Sequence, residues 1–283
     1  MRIDAHQHFW RLSRADYRWL TPDAPVLYRD FEPDDLAALL DEAGVGATVA
    51  VQAADTIAET EHLLELADAH QFIAAVVGWA PLDAPDGPDV LADLAGRPKL
   101  VGVRPMIQDM RDDAWMLGPD VDIALTTLEH MELRLDALVR PRHLPHLRTL
   151  VERHPDLPVT IDHAAKPPVR EGTGWRGFAA WRDDLRALAR SPRVCCKLSG
   201  LVTEADAAPG AADLQPFVET ILEAFGPSRV MWGSDWPVCL LRGSYADWMA
   251  LTEELLAHLD SAERDDVLGN AAARFYGLAE IAP

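Results

Sequence analysis

The chain has 283 residues, 49% of them hydrophobic and 25% charged, with 46 acidic residues against 26 basic ones and a formal net charge of −20. That length suits one large α/β domain, and the apolar fraction supports a full core. The acidic balance argues against nucleic acid or an anionic membrane surface as a partner. It leaves a small substrate open, because a few cations inside a cleft can dominate locally.

Strand-like and helix-like segments alternate along the chain. "RIDAH" (2–6) predicts the first strand. An irregular stretch rich in aromatic and basic residues follows over 9–31. "EPDDLAALLDEAGV" reads as a helix ending at Gly44, a good cap. "ATVAVQ" (47–52) predicts strand two, and "TIAETEHLLELADAH" has helical apolar spacing. "FIAAVVGW" (72–79), "LVGVRP" (100–105) and "ELRLDALV" (132–139) predict strands three to five; the acidic "DGPDVLADLAG" between them reads as a solvated face. "RPRHLPHLRTLVERHP" predicts a helix before strand six, "PVTIDH" (158–163). "FAAWRDDLRALARSP" leads into strand seven, "RVCCKLSG" (193–200), and "LQPFVETILEAFGP" into strand eight, "RVMWGSD" (229–235). Each of these three helices stops at a proline. Eight short apolar strands alternating with helices predict a single-domain α/β fold over 1–283, a TIM-like (β/α)8 barrel. A doubly wound open sheet is the alternative, and the absence of a Gly-rich loop after strand one counts against it. Residues 9–31 would then lie over the mouth as a lid or wall.

Cys195, Cys196 and Cys239 do not look like a secreted disulfide framework and read as inert thiols near the core. No secretory leader or long apolar run is visible, so the expected location is the cytoplasm, with no membrane partner. The oligomeric state stays open.

Barrels of this kind do their chemistry at the C-terminal strand ends. Strand one offers His6 and His8, which share a face because alternate side chains do. Strands two to four offer Gln52, Trp79 and Arg104. Strand six offers Asp162 and His163, with Lys166 three residues on; strand seven offers Lys197 and Ser199; strand eight offers Ser234, Asp235 and Trp236. The first and last strands of a closed barrel are neighbours. Asp235 should therefore meet His6 and His8, as a general base towards water beside rings that position substrate, hold a metal or stabilise charge. Taken alone, the two histidines also fit a polar turn. Lys197, mid-strand among apolar residues, needs a partner and reads equally as a structural pair or a catalytic group. The remaining histidines fall on helices or connections and read as surface or structural.

"DAHQHFW", "TIDHAAKPP", "KLSGL" and "WGSDWPV", in that order, resemble the amidohydrolase superfamily, in its lactone-hydrolysing branch. The resemblance runs from His6 to the "NAAARFYGL" tail, and the "HQHFW" opening is most similar to sugar lactonases acting on L-fuconolactone or L-rhamnonolactone. It implies hydrolysis of a sugar lactone to an aldonic acid. Asp235 would deprotonate water and return the proton to the leaving ring oxygen, while His6, His8 and His163 polarise the carbonyl. Lys166 and Arg104 would add positive charge, although Lys166 could be a solvated turn residue and Arg104 could pair with an acid across the barrel. Gln52, Trp79, Trp236, Trp10 and Trp19 would contact the sugar. Binuclear members carry a bridging lysine at strand five, where this chain has Val139 and Arg140, and a strand-five histidine it lacks. The resemblance therefore implies at most one Zn²⁺, held by some of His6, His8, His163 and Asp235, in a branch that also includes enzymes working without metal. Three rivals remain: a lactonase for a muconolactone or pyrone dicarboxylate, a metal-dependent decarboxylase on the same scaffold, and a carbohydrate-binding protein with a decayed site.

Overall fold

The computed structural model describes residues 1–206 and 208–278. Eight parallel strands follow one another in chain order around one sheet: β1 (Arg2–Gln7), β2 (Val45–Val51), β3 (Ile73–Gly78), β4 (Leu100–Val103), β5 (Arg134–Ala137), β6 (Val159–Ile161), β7 (Val194–Leu198) and β8 (Val230–Trp232). All eight expected strands are present. Those after β3 are shorter than expected, because the residues at their C-terminal ends leave the ladder to build loops. The ring closes through a parallel bridge between Gln7 and Trp236. There His8 N donates to Trp236 O at 2.7 Å and Asp235 N donates to His6 O at 2.8 Å. The fold is a single-domain (β/α)8 barrel, as the alternation of segments predicts.

The helices are α1 (Pro33–Ala43), α2 (Ile57–Ala69), α3 (Gly87–Ala95), α4 (Pro119–His130), α5 (Leu144–Arg153), α6 (Phe178–Leu188), α7 (Ala211–Phe225), α8 (Tyr245–Leu255), α9 (Ser261–Asp265) and α10 (Ala271–Tyr276). Helix α1 starts with Pro33 in its first turn and ends at Gly44 in the left-handed region, which glycine enters without steric cost. The acidic "DGPDVLADLAG" forms most of α3, which buries Leu91 and Leu94 and exposes its carboxylates. None of these helices is long and apolar enough to cross a membrane.

The main core packs the strands against the helices, with Leu36, Leu63, Leu125, Leu185 and Phe217 among its buried residues. A second cluster joins Ile3, Val49, Val77 and Met231 of the strands to Tyr276 of α10. Cys195, Cys196 and Cys239 are buried and free, and burial pushes their thiols up, so they are inert as expected.

The seam between β1 and β8 is held by a carboxylate. Asp4 Oδ1 accepts from the backbone N–H of His6 (3.1 Å) and of Ser234 (2.8 Å), and Tyr245 OH of α8 donates to Oδ2 at 3.1 Å. Burial raises the Asp4 carboxyl to about 6, against these hydrogen bonds.

Residues 9–31 are pinned down rather than loose. Trp10 and Phe31 exchange backbone hydrogen bonds at 3.0 and 2.9 Å, and the fully buried Trp10 ring stacks edge-on with Trp19 and Phe31. A buried acid fastens this segment to β2 and α2. Glu59 accepts from Tyr17 OH at 2.7 Å and from Ala53 N at 3.0 Å, and Trp19 Nε1 donates to Ala53 O at 2.7 Å. Burial raises Glu59 to about 7, although the hydrogen bonds from Tyr17 and Ala53 oppose it.

Two stability tests follow from these clips. Asp4→Ala strands two buried N–H donors and should cost about 2–4 kcal/mol in urea unfolding, whereas Asp4→Asn keeps the acceptor and should cost far less. Glu59 has a folded pKa above its unfolded one, so its contribution is full below about pH 4.5 and is lost as pH rises through about 7. Glu59→Gln should remove on the order of 3 kcal/mol of that pH dependence, read as a flatter plot of unfolding free energy against pH.

Candidate active site

The site is built from strand ends that meet at the open end of the barrel. His6 and His8 lie with ring centroids 4.9 Å apart, and the His163 ring is 4.4 Å from that of His6. All three Nε2 atoms face one oxygen, Asp235 Oδ1, at 3.8 Å from His6, 3.3 Å from His8 and 3.9 Å from His163. The expected meeting of the first and last strands is therefore realised.

His163 owes its place to a left-handed turn. Strand β6 stops at Ile161, and His163, Ala164, Ala165 and Lys166 have φ of 52°, 50°, 64° and 52°. Lys166 N donates to His163 O at 2.8 Å, a turn that brings residues three apart to the same side. Such φ values cost non-glycine residues on the order of 1 kcal/mol each, so surrounding contacts must hold them. Trp181 Nε1 of α6 donates to Ala164 O at 2.8 Å, and Ser199 Oγ lies 2.8 Å from His163 Nδ1. Gly200, at φ +64°, leaves the room: a Cβ there would stand 2.5 Å from His163 Nδ1.

Burial favours the neutral form of the rings. Burial pulls His6, His8 and His163 below the ordinary imidazole value, and Lys197 adds to this at His6. Asp235 goes the other way. Burial opposes its ionisation, but His163, His8 and Lys166 outweigh it and hold its carboxyl below the usual range. Fixed charge comes from groups packed around the rings. Arg104 Nη1 lies 3.3 Å from His6 Nε2 and 3.5 Å from Asp162 Oδ2, and its other end is bonded to Gln52 O. Lys197 Nζ touches Asp136 Oδ2 at 2.5 Å, Asp162 Oδ1 at 3.1 Å and His6 Nδ1 at 3.1 Å. Tyr276 OH donates to the same Asp136 oxygen at 2.8 Å. Lys197 is thus paired with two buried carboxylates and braces His6 from below, with no opening to substrate.

The donors suit one metal ion. His8 Nδ1 is 2.8 Å from Val51 O, so Nδ1 carries the proton and Nε2 presents a lone pair to Asp235 at 3.3 Å. Two acceptors in contact call for a proton or a cation between them. His6, His8 and Asp235 offer atoms within 4.8 Å of one another, a set of zinc-ligand type. His6, Asp162 and His163 form a second such set, but the Lys197 ammonium already sits against His6 and Asp162. The geometry fits one ion and disfavours two.

Beside this cluster is a cavity of about 290 Å³ lined by His8, Trp19, Arg104, His163, Lys166 and Asp235 together with Ala53, Met106, Gln108, Asp109, Leu138 and Val238. Lys166 is half-buried there, has no hydrogen bond or ion pair to its ammonium among the described residues, and is lowered by that burial.

Several expected sugar contacts lie elsewhere. Trp10 and Trp236 are fully buried and do not line the cavity: Trp10 donates to Arg29 O at 2.9 Å, and Trp236 packs on Phe9 and Phe31 beneath the segment 9–31. Gln52 is also enclosed, its Nε2 donating to Arg104 O at 2.6 Å, so it clamps the arginine. Trp79 is tied through its backbone to Thr60 and is absent from the lining. Sequence reasoning passed over Asp4 and Asp136 and the lining pair Gln108 and Asp109. The polar pair stands just after "VRP" of strand four, where a reading of the whole loop would have found it.

A family model described as Amidohydrolase matches residues 3–278. The chain belongs to the amidohydrolase family. Among its relatives, this amidohydrolase is 44% identical to an L-fucono-1,5-lactonase of Burkholderia ambifaria over 98% of this chain and 96% of that one. It is 43% identical to an L-fucono-1,5-lactonase of Burkholderia multivorans over 100% of this chain and 98% of that one. A crystal structure of a Burkholderia multivorans amidohydrolase with bound zinc superposes with a TM-score of 0.91 at 41% identity, covering 98% of this chain and 99% of that one.

Gly200→Ala tests the packing of His163. It should cost about 1–3 kcal/mol in urea unfolding by overpacking and lower turnover at least tenfold, because the ring can relieve the contact only by leaving Asp235.

Proposed function

We propose that this amidohydrolase hydrolyses a sugar lactone of the L-fuconolactone type to the aldonic acid. One observation carries the reading: three imidazoles converge on a single oxygen of Asp235, at the edge of a cavity that also holds the half-buried Lys166. The two relatives named L-fucono-1,5-lactonase, similar over nearly their whole length, supply the substrate class.

Asp235 takes a proton from water as the water oxygen adds to the lactone carbonyl carbon. Its depressed carboxyl keeps it ionised at neutral pH, and its conjugate acid then gives the proton up readily. The charge that grows on the carbonyl oxygen lies among the imidazoles, with Arg104 and Lys166 near enough to offset it. The tetrahedral carbon collapses, the bond to the ring oxygen breaks, and that oxygen takes the proton held by Asp235. His163 and Lys166, fixed on one side of their turn, orient the lactone, and Trp19 gives a flat wall for its C–H face. A divalent ion held by His6, His8 and Asp235 would supply Lewis-acid polarisation of the carbonyl. The reaction would take place in the cytoplasm.

Asp235→Asn should lower kcat for L-fucono-1,5-lactone by about 10²–10⁴-fold in an acid-release assay, with circular dichroism unchanged. Turnover within threefold of the parent would remove Asp235 from the base role.

A further inference from the structure

The charges of the cavity are segregated by depth. Arg104 is only 4% exposed and lines the inner part of the cavity with the buried His163 and Asp235, while Lys166 is half-buried. Asp109 is exposed and lines the same cavity. It forms no ion pair among the described residues, and one of its oxygens, Oδ2, accepts from Gln108 Nε2 at 3.0 Å. Gln108 is itself anchored, since its N–H donates to Leu138 O at 2.9 Å and its carbonyl accepts from Arg142 at 3.1 Å. The carboxylate is therefore oriented by a fixed neighbour and leaves one oxygen free.

We infer that Asp109 is a specificity-determining residue: its free oxygen accepts ring hydroxyl groups on the substrate's outer side, and its charge turns away lactones that carry a carboxylate on that side. The inference rests on the sugar-lactone reading above. A substrate whose carbonyl reaches Asp235 must direct its other end toward the mouth, where Asp109 stands. The ring hydroxyls of a sugar lactone are O–H donors, and a carboxylate accepts them more strongly than a neutral group does. An anionic end would bring two like charges together, and the nearby Arg142 guanidinium, bonded to Gln108 O, is already paired with Asp113. The inner cations favour negative charge where the carbonyl reacts, and Asp109 opposes it at the entrance. That arrangement suits a neutral polyhydroxylated lactone and penalises dicarboxylate lactones.

The test compares L-fucono-1,5-lactone with galactarolactone, in which a carboxylate replaces the terminal methyl. The parent enzyme should favour the neutral lactone in kcat/KM, and the preference should narrow as ionic strength rises. Asp109→Asn keeps an acceptor and loses the charge. It should shrink the neutral-to-anionic ratio at least tenfold, mainly by raising kcat/KM for galactarolactone, and should abolish the salt dependence of that ratio. Asp109→Ala should also raise KM for the neutral lactone with little change in kcat. An unchanged ratio in Asp109→Asn, or a parent enzyme that opens both lactones equally well, overturns the assignment. A parent enzyme that opens neither lactone overturns the sugar-lactone reading instead.

Discussion

A single buried carboxylate decides whether the two ends of this chain can share a site. Asp4 takes the N–H groups of His6 and Ser234 on one oxygen, across the seam where the first and last strands meet. The neighbouring backbone bonds from Asp235 to His6 and from His8 to Trp236 then fall into register. Asp235, the proposed base, follows Ser234 directly, so fixing that N–H fixes where Asp235 leaves the strand. The arrangement is costly, because burial works against the Asp4 charge. It persists because a barrel seam offers few other acceptors for N–H groups that have left the ladder.

Around that seam the protein separates two tasks that one residue often combines. The imidazoles, whose neutral form burial favours, supply direction, while Arg104, Lys166 and Lys197 supply charge. Asp162 mediates, with Arg104 on one oxygen and Lys197 on the other, and these cations hold it below the usual range despite its burial. Charge is thus fixed in place before substrate arrives, which is the condition under which it lowers a barrier without reorganisation. The strained turn from His163 to Lys166 serves the same end, since packing and hydrogen bonds replace flexibility at the reacting centre.

Much of this was legible in the residues. The eight strands and their order followed from short apolar runs separated by proline-stopped helices; strand-end placement brought His6, His8 and Asp235 together, and the family resemblance added His163. Strand lengths were less legible, because "PVTIDH" has strand propensity throughout and only tertiary contacts turn its end into a left-handed turn. The tryptophans misled for a related reason. An aromatic ring beside a site serves equally as a wall or as core, and backbone pairing of Trp10 with Phe31 committed it to the core. Asp4 and Asp136 were invisible because most of their partners, Ser234 and Tyr245 for Asp4 and Lys197 and Tyr276 for Asp136, lie far along the chain, which no local pattern encodes.

The hydroxyl of Tyr276 completes the set of contacts around Asp136, and through Lys197 that set reaches His6 near the opposite end of the chain. During synthesis, the first histidine emerges from the ribosome long before the residue that completes the bracing beneath it. A nascent barrel lacking α10 can pair its strands yet still hold Lys197 and Asp136 in an unfinished arrangement. The bracing beneath His6 is thereby completed only once residue 276 has been made.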